Sequence, residues 1–156
     1  MQSTPHLAIP LQLPMEQYRM QPVQQIVIAI RGDMDIVKAR SAARDVARNI
    51  GFGPIDQARI ATAVSELARY VLLHSGEGHV AFQNITRTGR NGIEFEVLDN
   101  GPRPATSEQE LFLSQSFAPL PVMENGLQGA QRLMDEFVVE TQTNDQTRIT
   151  CRKWRL

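Results

Sequence analysis

Between residues 33 and 74, apolar side chains recur every three or four positions in two consecutive runs separated only by the connector GFGP. In the first run, Asp33 can cap a helix through MDIVKARSAARDVARNI, whose Ile36, Val37, Ala43, Val46, Ala47 and Ile50 form one face. Gly51 ends it, and Pro54 suits the first turn of a second helix. There Ile60, Val64, Leu67 and Val71 repeat down to about His74. Each helix therefore carries a stripe that has to be buried against another layer. That layer is supplied by strands: a short β-rich run in QQIVIAIRG (24–32), then HVAFQNITR and IEFEVLDN alternating around a five-residue connection TGRNG, which makes them antiparallel neighbours. A third helix over GLQGAQRLMDEF, with Leu127, Ala130, Met134 and Phe137 on one side, precedes a closing hairpin of FVVETQT, the turn TNDQ, and TRITCRKWR. The order β, α, α, β, β, loop, α, β, β predicts an α+β fold: a two-layer α/β sandwich with a mixed, mainly antiparallel sheet and helices on one face.

With 156 residues, 42% of them hydrophobic, the chain has material for one core and no room for a second domain. We divide it into an N-terminal arm over 1–23, which holds four of the nine prolines without a regular period, and a single domain over 24–156. Sixteen basic against seventeen acidic residues leave a formal charge of −1, too weak a field to argue for nucleic acid or an anionic membrane. The lone Cys151 excludes an internal disulfide framework, which fits a reducing compartment such as the cytoplasm, and no apolar run reaches membrane length. Cys151 in an alternating strand reads as core, Trp154 as packing for the last strand, and His6, His74 and His79 as surface or strand-edge histidines without metal-ligand spacing.

Three short stretches carry polar groups placed for chemistry. On the second helix Arg59, Thr62, Glu66, Arg69, Tyr70 and Leu73 share a face distinct from the apolar stripe. Glu66 there is either a site residue or a solvated glutamate paired to Arg59 or Arg69. IEFEVLDN runs into Gly101 and Pro102, setting Asp99 at a strand exit where its carboxylate can accept from a ligand amine; the same Asp-Asn-Gly-Pro is also ordinary turn chemistry. NGLQGAQRL leads into a helix whose free amides could meet phosphate oxygens. Each is a weak signal alone.

Their order and separation are not. DIVKARSAARDVARNIGFGPIDQARIATAVSELARY, then LDNGP, then GLQGAQRLMDEF and TRITCRKW resemble the anti-sigma regulatory factor serine-protein kinases of the GHKL (histidine kinase-like ATPase) fold, in their stress-signalling switch-kinase branch. The resemblance covers about residues 26–156. It implies a protein that uses ATP and Mg²⁺ to phosphorylate STAS-domain proteins, switches partners as it does so, and docks on a PP2C-type phosphatase. Carried over residue by residue, it makes Glu66 the catalytic base, Asp99 the acceptor of the adenine amine with Gly101 its neighbouring glycine, and Gly126 and Gly129 the remains of the phosphate-binding lid. Arg69, next to the base, is placed to touch phosphate or partner.

Three positions depart from the family pattern. Tyr70 stands where the family has a magnesium-ligating asparagine, and a protonated phenol is a poor ligand for a cation that demands hard oxygens in octahedral geometry. Arg103 replaces the last glycine of Asp-x-Gly-x-Gly. The lid reads SFAPLPVMENG, with prolines and bulky residues where mobile backbone amides would wrap phosphates. Phosphoryl transfer rests on positioning and on charge stabilisation by metal and lid, so the expectation is a kinase-like docking protein with weak or lost ATP binding and no bound metal. Two alternatives stand beside it: an active serine kinase in which Arg103 replaces the missing cation and Tyr70 stacks on adenine, and an anti-sigma factor that holds a sigma subunit directly.

Overall fold

The computed structural model of the protein describes residues 25–101, 127–142 and 144–156. The arm over 1–23, the long loop beyond Gly101, Arg103 and Gly126 lie outside them. Strand β1 (Ile26–Ile30) leads into α1 (Asp33–Ile50) and α2 (Pro54–His74), and β2 (Gly78–Arg87) and β3 (Arg90–Asp99) follow. Helical residues 127–133, here α3, precede β4 (Glu136–Thr141) and β5 (Thr147–Trp154). The strands form one sheet in the order β1-β2-β3-β5-β4, and all four pairings are antiparallel, so the mixed component expected from sequence is not used.

The core lies between the helices and one face of this sheet. Ile60, Val64, Leu67 and Val71 of α2 are all fully buried against Ile30, Val80, Phe82, Ile93, Phe95, Val97, Ile149 and Cys151. Cys151 is core as expected, and burial pushes its thiol far above the ordinary cysteine range. On α1 the predicted stripe holds except at Val37, which is 45% exposed while Ala39 is buried instead. The far face of the sheet carries a polar ladder across four strands. Glu94 accepts from Gln83 and from Arg152 (2.6 Å), Arg152 also reaches Glu136 (3.2 Å), and Glu136 accepts from Arg87 and the Trp154 indole, both at 2.8 Å. The Arg87 guanidinium in turn sits over the Trp154 ring at 4.6 Å. Trp154 therefore packs on the open face.

Local chemistry sets several element boundaries differently from the sequence expectation. Helix α1 is capped by Gly32, with Asp33 already in the first turn. Asp35 provides the stabilisation from inside the helix: its carboxylate accepts from the Arg31 and Gly32 amides at 2.8 and 3.1 Å, while its own amide donates to the Gly32 carbonyl. The β2–β3 connection is tighter than the five residues expected. Arg87 pairs with Arg90, leaving only Thr88 and Gly89 at the turn, both at positive φ (49° and 79°), the pattern of a two-residue hairpin turn matched to strand twist. Helix α3 stops at residue 133, and Phe137 lies in β4 rather than on the helix. The sheet captures this stretch: the Asp135 amide donates to the Arg152 carbonyl, and the Asp135 carboxylate accepts from the Trp154 amide. Lys153, buried on the core side, ties down the helix end by donating to the Leu133 carbonyl at 3.1 Å.

Two stability measurements follow from these boundaries. Thr88 is β-branched in a left-handed conformation, so Thr88→Asn raises unfolding free energy by about 1 kcal/mol, read as a higher urea midpoint at unchanged slope. The amide hydrogen bonds, above all from Arg31, hold the Asp35 carboxyl below its ordinary value. Its contribution is therefore present above the ordinary aspartate range and lost as pH falls through the depressed folded value. Asp35→Asn is less stable than the natural chain near neutral pH, and thermal melts of the two converge in strong acid.

Candidate functional site

At its C-terminal end, α2 meets the exit of β3, and three backbone devices hold the two together. The Asn100 amide donates to the Ser75 hydroxyl (3.0 Å) and to the Glu77 carbonyl (3.2 Å), and Ser75 donates onward to Glu77 (2.9 Å). Gly78 pairs with Asp99 across the β2–β3 ladder, where a Cβ would collide with the Leu98 carbonyl and the Val71 side chain. Gly101 then turns the chain at φ 91°, a left-handed conformation that a side chain would strain. Asp99 is thereby set at the junction with no exposed surface.

The carboxylate of Asp99 is divided between two tasks. Its Oδ1 accepts from the Gly101 amide at 2.9 Å and the Thr147 amide at 3.0 Å, closing the turn and tying β3 to the start of β5. Its Oδ2 has no hydrogen-bond partner among the described residues. The His74 imidazole lies beside it, with Nε2 at 3.6 Å. That ring stacks on Tyr70, one helical turn earlier, with centroids 5.2 Å apart and planes within 11°.

Tyr70 is the principal correction to the sequence expectation. Rather than sharing the polar face of α2, it is 5% exposed and packs in the core cluster, while Arg59, Thr62, Arg69 and Leu73 remain exposed. Burial, reinforced by the nearby negative charge of Asp99 and partly offset by a hydrogen bond with Thr147, pushes its phenol further above the ordinary tyrosine range. Glu66, one turn before Tyr70, has a side chain 38% exposed and accepts from Arg69 at 3.0 Å, the local pairing that was the alternative to a site role. Arg59 pairs with Asp56 instead. Asp99, Gly101, Tyr70 and His74 are thus brought into one cluster. Glu66 and Gly129 make no hydrogen bond to it among the described residues.

Sequence reasoning missed two members of this cluster. His74 was read as a surface or strand-edge histidine, but only 21% of its side chain is exposed and it faces a buried carboxylate. The signal available was its i, i+4 spacing from Tyr70 at the end of the helix. Thr147 lies 48 residues from Asp99 and reaches it through its backbone amide, while its side chain meets Tyr70, and nothing in the local sequence marks either contact.

The chemistry of these donors separates the two halves of an Mg·ATP ligand. A buried carboxylate oxygen left without a donor among the described residues is the kind of acceptor that an exocyclic amine requires, so the chemistry of Asp99 Oδ2 suits an adenine amine. Tyr70 does not suit the other half: its buried phenol, pushed further above the ordinary tyrosine range, offers a magnesium ion neither charge nor a hard anionic oxygen. No helix of the described residues is long and apolar enough to cross a membrane.

Comparison with known proteins places the sequence in a family. Residues 33–153 match the family described as the histidine kinase-like ATPase domain. The serine/threonine-protein kinase RsbT of Bacillus subtilis (strain 168) is 36% identical over 130 residues, covering 83% of this chain and 96% of that protein. Among solved structures, a chain of the SiaB-SiaC complex from Pseudomonas aeruginosa matches over 93% of this chain and 98% of its own length, at 16% identity and a TM-score of 0.46. Sequence order, sheet topology and identity over most of its length make this chain a member of the histidine kinase-like ATPase domain family, in the anti-sigma regulatory factor and serine-protein kinase branch.

Proposed function

We propose that the protein is a kinase-like switch component of a partner-switching pathway and acts chiefly by docking to a STAS-domain protein or a PP2C-type phosphatase, with Mg·ATP chemistry weakened or lost. Kinship with a serine/threonine-protein kinase over nearly that protein's whole length supports the kinase-like part. The observation that carries the rest is Tyr70. It lies four residues after Glu66, in the position to which the family resemblance assigns the metal ligand, and it is buried in the core and stacked on His74 rather than presented to a ligand. Without a metal to neutralise developing charge, a glutamate base has no positioned phosphoryl group to act on. Glu66 is instead occupied by Arg69. Arg103 and the proline-bearing segment before Gly126 support the same reading from sequence.

A second reading, that of an active kinase, is favoured by one feature: Asp99 keeps a free acceptor oxygen suited to adenine. In that reading Glu66 is the base, Gly126 and Gly129 help hold phosphate, and Mg²⁺ has ligands other than Tyr70.

Calorimetric titration with ATP, with and without Mg²⁺, separates the two. The natural chain gains no affinity from Mg²⁺, whereas the Tyr70→Asn, Arg103→Gly double variant gains about tenfold or more. Mg²⁺-dependent binding by the natural chain overturns the docking reading. Affinity for a purified STAS-domain or phosphatase partner, measured by surface plasmon resonance, stays within about twofold on adding ATP or introducing Glu66→Ala, because docking in this reading draws on neither nucleotide nor a catalytic base.

A further inference from the structure

The Asp99 oxygen left unpaired among the described residues raises a question that the proposed loss of metal does not answer. A fully buried carboxylate oxygen without a donor is costly and rare in a folded protein. Both backbone amides that bond this carboxylate among the described residues go to its other oxygen. The side-chain N–H closest to relieving it among the described residues is His74 Nε2, at 3.6 Å. A movement of roughly half an ångström brings that pair to hydrogen-bond length. The ring is already aimed: the stack on Tyr70 fixes its plane, and the Ser75–Asn100–Glu77 bonds fix the end of the helix that carries it against the exit of β3.

We propose that His74 is a specificity-determining residue whose imidazole N–H competes with ligand amines for Asp99 Oδ2, so that the chain carries its own occupant of the amine-accepting position. This rests on the reading of Asp99 as an amine acceptor and deepens it. Tyr70 then has a definite role, as the platform that holds the imidazole in place. An entering adenine has to displace the His74 N–H and disturb the stack, whereas a ligand without an exocyclic amine gains nothing by doing so. Selection against adenine is thus built from two α2 residues one turn apart, acting together on one atom.

Long-range ¹H–¹⁵N NMR on the full ¹⁵N-labelled chain tests the contact without any nucleotide. The His74 Nε2 proton is protected from water exchange and visible, unlike that of His79. In Asp99→Asn, which keeps the acceptor for Gly101 and Thr147 and turns the other atom into a donor, the His74 proton moves to Nδ1. An unprotected Nε2 proton in the natural chain, or ring nitrogens indifferent to Asp99→Asn, overturns the proposal. Competition is tested with His74→Phe, which keeps the stack and removes the donor. Adenosine, carrying no phosphate and needing no metal, binds this variant about tenfold or more tighter than the natural chain, and inosine does not. An equal gain for both nucleosides, or no gain for adenosine, overturns it. The docking reading stands or falls separately on Mg²⁺-dependent ATP binding by the natural chain.

Discussion

The carboxylate of Asp99 is the joint on which the candidate site depends. One of its oxygens receives amides from the turn at Gly101 and from Thr147, so a single side chain connects the end of β3, the following turn and the start of β5. Two charge-assisted bonds at that point offset part of the cost of taking the group out of water. The other oxygen is left for something else to satisfy. The neighbours described around it share the work: Gly78 allows the approach of β2, Ser75 and Glu77 hold the end of α2, and His74, stacked on Tyr70, lies beside the second oxygen.

The architecture was largely legible in the sequence because its signals are periodic. Ile60, Val64, Leu67 and Val71 repeat at helical spacing and are all buried; IEFEVLDN alternates and forms a strand with Ile93, Phe95 and Val97 inward. Misplacements came where a local rule competed with the sheet. Phe137 fits a helical face but is drawn into β4 by the Asp135 contacts to β5, and the TGRNG connection shrinks because Arg90 to Gly92 gain more as ladder residues than as loop. Pairings between residues far apart in sequence decided both cases, and periodicity carries no information about them.

The site was legible in its parts and not in its assembly. Glu66, Asp99 and Gly101 could be singled out by residue type and by order along the chain. That Tyr70 turns inward could not, since a tyrosine at the border of a helical face is compatible with either side and only the packing at β3 decides. His74 escaped for a similar reason: nothing in a lone histidine at a helix end announces a buried carboxylate 25 residues later. Tyr70 and the histidine stacked on it make one structural unit, which their separate positions in the sequence do not reveal.

The sheet order has a consequence for when this unit can exist. β2 and β3 are joined by a two-residue turn and find their register locally, and α2 lies immediately before them, so Tyr70, His74 and Asp99 can come together early in folding. The Thr147 amide belongs to β5, which must cross the intervening segment and slot between β3 and β4. Until it arrives, the buried carboxylate lacks one of its two tethers. Bringing Thr147 to Asp99, 48 residues earlier, is therefore the step that completes this polar centre, and the same step adds Ile149 and Cys151 to the core, so the two are finished together.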